Sequence, residues 1–161
     1  MTMMDFSKWL EATRLSEYLS STSWIVPAVQ AIHIVSVGVV FASMSLLSLR
    51  LLGVVHRQQV SSAALSSLSW LWPALLVLLL TGAALVVAEP ERELLNRTFL
   101  LKMALILSAA VTSGLLRRSM IQRRPFWDSP TLPLAAKPLG VLLLILWAAI
   151  IVCGRWIAYT Q

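Results

Sequence analysis

Charge is scarce in this chain. Only 12% of its 161 residues are Asp, Glu, Lys or Arg, while 58% are hydrophobic and the mean hydropathy is +0.82. A soluble domain carries about 25% charged residues. A chain this short cannot hide so much apolar side chain from water in a core of its own, whereas a lipid bilayer accepts it. Cysteine is nearly absent as well. Cys153 stands alone, so no intrachain disulfide can form, and without a CxxC pair or a His/Cys cluster no structural zinc site is expected. The apolar segments hold no Ser-His-Asp arrangement, no glycine-rich phosphate loop and no paired catalytic carboxylates, and whether the chain is an enzyme stays open at this point. The start lacks the basic, apolar and small-residue pattern of a cleavable leader, since Asp5, Lys8, Glu11, Arg14 and Glu17 precede the first apolar run. The N-terminus is therefore expected to be retained. A net charge of +6 and a pI near 10.5 raise nucleic acid as a partner. The basic residues sit at the ends of apolar runs with no stripe of interleaved aromatics, so no nucleic-acid partner is expected.

What the chain has is long apolar runs. Crossing a bilayer as a helix takes about 20 mostly apolar residues, and four segments qualify: 24–52, 68–88, 98–116 and 134–159. The connections are short, so neighbouring helices should be antiparallel. The expected fold is all-α, a single membrane domain built as a transmembrane four-helix up-down bundle. Residues 5–20 are expected to form a short interfacial helix, with Met3, Phe6, Trp9 and Leu10 on one face and a break near Thr13. Pro73 falls early in the second span, where a missing donor costs little. Gly38, Ala42 and Ser45 share a face of the first span and should let helices approach closely. Trp24, Trp156 and Tyr159 would mark one membrane interface, and Trp70, Trp72 and Trp127 the other.

Orientation follows from the basic residues. Arg50, Arg57, Arg117, Arg118, Arg123, Arg124 and Lys137 lie on one side with only Asp128 against them. The other side balances Lys8, Arg14, Arg92, Arg97, Lys102 and Arg155 with six acids. The positive-inside rule then places both termini outside and the two basic loops in the cytoplasm. Membrane lipids are the expected surroundings, with a second copy or another membrane protein as further partners.

An ionisable group inside a bilayer is a functional candidate because burying it is expensive. His33 lies nine residues past Trp24, about 13 Å deep at a rise of about 1.5 Å per residue, too deep to snorkel. There it can ligate a metal or haem, relay protons, or simply hydrogen-bond to a neighbouring helix. Gln30 lies one turn earlier on the same face. Lys102 sits just inside the third span and Arg155 just inside the end of the fourth, where snorkelling is the plainer role. Glu89 ends the second span. Gln30, His33, Glu89, Lys102 and Arg155 come from all four spans and share the outer half of the membrane. They are expected to outline a polar pocket open to the outer face, with His33 at its floor. Lys102 and Arg155 would suit a haem propionate, a carboxylate or a quinone oxygen. Met103 and Cys153 lie at the depth of His33, and such ligands suit copper.

Three stretches resemble an uncharacterised bacterial family of four-helix membrane proteins, classed as a domain of unknown function. They are HIVSVGVVFASMSLLSLRLLG from His33 to Gly53, NRTFLLKM ending at Met103, and KPLGVLLLILWAAIIVCGRWIAY from Lys137 to Tyr159. The family pattern falls on His33, Arg50, Asn96, Phe99, Lys102, Gly154 and Arg155. The resemblance implies a bacterial inner-membrane location and supplies no activity. The layout is also similar to copper-resistance membrane domains and to four-helix b-type cytochromes. Those cytochromes hold haem between two histidines. His33 and His56 would stand about 34 Å apart along one helix, so a bis-histidine haem would need His33 from two chains. The leading expectation is an outward-facing pocket for a small redox cofactor or ligand: haem b on His33, or a quinone near His33 and Lys102. An accessory or scaffold subunit of a membrane complex is the alternative, and a copper transporter the third reading.

Overall fold

A computed structural model of the chain describes residues 2–55, 60–129 and 133–157. Its helices are α1 (Met3–Glu11), α2 (Arg14–Ser21), α3 (Ile25–Leu51), α4 (Val60–Ala88), α5 (Pro90–Leu94), α6 (Arg97–Gln122), α7 (Arg124–Trp127) and α8 (Ala136–Trp156). The described residues contain no strand. Four stretches are long and apolar enough to cross a membrane: α3, residues Ala64–Ala88 of α4, α6 and α8. Their outward sides carry Ile34, Val35, Leu79, Leu107, Leu115 and Ile145, all exposed, which is the surface a lipid-facing bundle presents. Four crossings return the chain to the side it started from.

The spans form a closed ring. α3 packs most extensively along α4, α6 along α8, and α8 along α3, while α4 meets α6 more sparingly. Across the diagonal, the Ser113 hydroxyl of α6 donates to Met44 Sδ of α3 at 3.8 Å. Val40, Met44, Leu47, Leu71, Leu116, Leu143 and Trp147 fill the centre. Burial thins toward the end where α3 and α6 begin: the first buried residue of α3 is Ser36, and of α6 Ala109. This looser end, with the starts of α3 and α6 and the ends of α4 and α8, is called the mouth end; the opposite one is the basic end.

Several expectations need correction. α4 is already helical at Val60 and α6 runs to Gln122, because a helix needs satisfied donors rather than apolar residues to continue past the hydrocarbon. Pro73 is therefore deep inside α4, where it removes a backbone bond. The stripe of small residues on α3 turns away from the bundle: Gly38 is exposed with nothing near its missing Cβ. The close crossing is at Gly140, where a Cβ would lie 3.0 Å from the Ser48 carbonyl oxygen and 3.1 Å from Leu51 Cβ of α3. Trp127 is only 4% exposed, since its indole N–H finds the Ser119 hydroxyl at 3.1 Å and can be buried at little cost.

The residues before α3 form two helices. Thr2 and Asp5 make a capping box at α1, and the Thr13 hydroxyl caps α2 by accepting from Ser16 N at 3.3 Å. α1 packs on α5 and α2 on α4. Ser7 is buried, while Met3, Phe6 and Trp9 remain exposed, the disposition of a helix lying at an interface. At the basic end, Asp128 reaches back to the start of α4, where its carboxylate accepts from the Ser61 backbone N–H at 2.9 Å and from the Ser61 hydroxyl. It holds one of the first backbone donors of α4, as a capping side chain does.

Candidate functional site at the mouth end

A cavity of about 170 Å³ opens among the ends of α3, α4, α5 and α8. Val26, Leu85, Ala88 and Ile157 make its apolar walls, and Gln30, Glu89, Arg92 and Glu93 its polar part. The polar part follows from one local break. α4 stops at Ala88, Glu89 leaves the helical region with φ −136°, and Pro90 starts α5 at a position where its missing N–H costs nothing. Glu89, Arg92 and Glu93 then fall three and four residues apart on one side. Arg92 Nη1 lies 2.7 Å from Glu89 Oε2. Burial pushes the Glu93 carboxyl above its usual range; Lys102 and Arg92 pull it back, and Glu89 adds to the rise.

His33 lies one turn below Gln30 and is not part of the cavity lining. Its Nδ1 is 2.8 Å from the Thr81 hydroxyl oxygen of α4. That hydroxyl has a single proton, and the Val77 carbonyl stands 2.7 Å from it as a second partner. With the hydroxyl turned to Val77, Thr81 accepts from the ring, Nδ1 carries the proton, and in the neutral ring the lone pair sits on Nε2; turned to the ring, the hydroxyl donates to Nδ1 and Nε2 carries the proton. Nε2 has no hydrogen-bond partner among the described residues. Cε1 lies 3.6 Å from where a Cβ on Gly82 would stand, so the ring lies over a glycine and α3 and α4 are locked together there.

Lys102 enters through a well-capped turn. Asn96 accepts from Thr98 N at 2.9 Å and starts α6, which places Lys102 between the turns that face α8. Its Nζ lies 3.6 Å from the Cβ position of Gly154, and Gly154 lines the cavity. Lys102 is partly buried and has no hydrogen bond or ion pair among the described residues. Arg155 and Met103 are both exposed, so neither converges on His33 with Cys153. Among the described residues no three His, Cys, Asp or Glu side chains come together as metal ligands. His56 lies outside the described residues.

The fold thus brings Gln30 and Glu89 to one cavity and sets Lys102 beside its wall. It leaves His33 a turn deeper and Arg155 on the surface. Thr81, Gly82, Arg92 and Glu93 were not singled out as site residues by the sequence. The one available signal was Thr81-Gly82, a hydroxyl and a gap inside an otherwise apolar run.

A family described as a family of unknown function, DUF6644, matches residues 6–160. No curated protein and no solved structure matches the chain.

Proposed function

Because the chain belongs to DUF6644, whose function is undefined, a role has to be read from its own residues, and we propose that it binds the head group of a membrane-borne quinone in the mouth-end cavity. The observation that carries this reading is Lys102. Its amino group stands beside the cavity wall at Gly154, within the membrane-spanning part of α6, and among the described residues it has no acceptor at hydrogen-bond distance, the Glu93 carboxyl acting on it only through space. A partly buried donor without a partner costs about 1–3 kcal/mol, and a quinone carbonyl oxygen would remove that cost. The Gln30 amide and Arg92 can serve the opposite oxygen, and the apolar walls suit a ring. Ligand sites for larger molecules measure about 300–1,000 Å³, so a cavity of about 170 Å³ favours a single ring over a whole porphyrin.

The oriented ring of His33 favours a second reading. Histidines that ligate metals commonly donate their other N–H to a protein group, and Thr81 stands where it would accept from Nδ1. Haem b could then be held through Nε2, with its second axial ligand from another chain.

The test is quinone extraction from the purified, detergent-solubilised protein, an absorbance spectrum of the same sample, and titration with a short-chain quinone. Bound quinone, a featureless visible spectrum and a binding loss of about 10- to 100-fold in Lys102→Ala are expected, the last from losing a hydrogen bond to a charged donor. A Soret band lost in His33→Ala would replace the quinone reading with the haem one. A colourless protein that neither carries nor binds quinone would leave the accessory-subunit role.

A further inference from the structure

The basic end carries a second site, independent of the cavity. Arg117, Arg118, Arg123 and Arg124 are all exposed, within eight residues of the end of α6 and the start of α7. None of the four guanidinium groups has a hydrogen bond or ion pair among the described residues. The nearest carboxylate in sequence forms no ion pair with them. Asp128 has both oxygens committed to Ser61 at the start of α4, and Ser61 is itself buried. The turn that presents Arg123 and Arg124 is held in place, because Trp127 is buried and its indole N–H is bonded to Ser119. Phe126 and Ile121 stand exposed beside the arginines. α6 crosses the bilayer, so this turn comes at the level of the head groups, with apolar side chains facing acyl chains and guanidinium groups facing phosphates.

We propose that Arg117, Arg118, Arg123 and Arg124 form a binding surface for the head group of an anionic phospholipid. Guanidinium forks match phosphate oxygens two at a time, and a fixed turn with unspent donors selects an acidic lipid over a zwitterionic one. Arginines that only oriented the chain during insertion would show no such selection once the protein is folded.

The experiment uses the full chain in a neutral detergent, which removes insertion and orientation from the measurement. Thermal unfolding is followed while phosphatidylglycerol, phosphatidylcholine or inorganic phosphate is added. Phosphatidylglycerol is expected to raise Tm, and phosphatidylcholine and free phosphate at equal concentration are not. The apparent affinity for phosphatidylglycerol should fall about fivefold for each arginine changed to glutamine, and Arg→Lys variants should recover part of it. If the quadruple glutamine variant does not fold, the Arg117→Gln/Arg118→Gln and Arg123→Gln/Arg124→Gln pairs carry the same comparison. Equal shifts from both lipids, or a preference that survives in both double variants, would overturn the proposal.

Discussion

Replacing Thr81 by valine tests the arrangement on which the reading of His33 depends. The two side chains have nearly the same shape, so the change removes one hydroxyl and little else. Its own bond to the Val77 carbonyl, 2.7 Å long, is lost without harm, because that carbonyl keeps its helical N–H partner. His33 Nδ1, at 2.8 Å from the hydroxyl, loses its only partner among the described residues. Hydrogen bonds between membrane helices are worth about 0.6 kcal/mol on average and about 1.7 at most. A donor orphaned in apolar surroundings costs about 1–3 kcal/mol. His33 is only half-buried, which sets the expected loss near 1 kcal/mol, or about 2–4 °C in Tm for a chain of this size. His33→Ala should cost more, and the double variant should cost less than the sum, by the same ~1 kcal/mol. Nitrogen-detected NMR of the ring gives a separate check. The chain has two histidines, so a His56→Gln background isolates His33. The proton is expected on Nδ1 in the parent and shifted toward Nε2 in Thr81→Val. A parent ring already protonated on Nε2, or single effects that add within about 0.3 kcal/mol, would refute the bonding scheme.

Other outcomes follow from the same packing. Gly140→Ala pushes a methyl to 3.0 Å from the Ser48 carbonyl oxygen and 3.1 Å from Leu51 Cβ. Overpacking of about 1–3 kcal/mol, offset by about 1 from better helix propensity, should leave it near 1 kcal/mol less stable, whereas Gly38→Ala, with nothing near the added Cβ, should gain; thermal denaturation of the two variants decides it. Asp128→Ala should lose about 0.5–2 kcal/mol by uncapping α4, while Asp128→Asn should keep most of that in the same denaturation assay. Burial holds the Glu93 carboxyl above its usual 4.5, so the folded state binds this proton more tightly than the unfolded one. Its contribution to stability is full below pH 4.5 and is lost as pH rises through the raised value. Glu93→Gln should flatten that part of a stability-versus-pH curve, and Lys102→Ala should move the loss to higher pH, because Lys102 holds the carboxyl down.

The sequence by itself determined that this is a bundle of four membrane-spanning helices. Runs of about 20 apolar residues have no other stable place, and that argument needs no knowledge of which helix meets which. Local chemistry was legible for the same reason: Thr13 divides α1 from α2 through a bond made within three residues. Whatever depended on a partner far along the chain was not. Asp128 read as the one acid of a basic loop, yet it caps α4 from 67 residues away. Gly38 and Gly140 carry the same local information, and only the ring order of the helices makes one a crossing point and leaves the other facing outward. The depth of His33 and Lys102 could be counted in turns of helix, but depth says nothing about azimuth. Rotation of each helix about its axis, set by side-chain packing across the bundle, gave His33 to Thr81 and brought Lys102 to the cavity wall. It also left Met103, the next residue along α6, exposed.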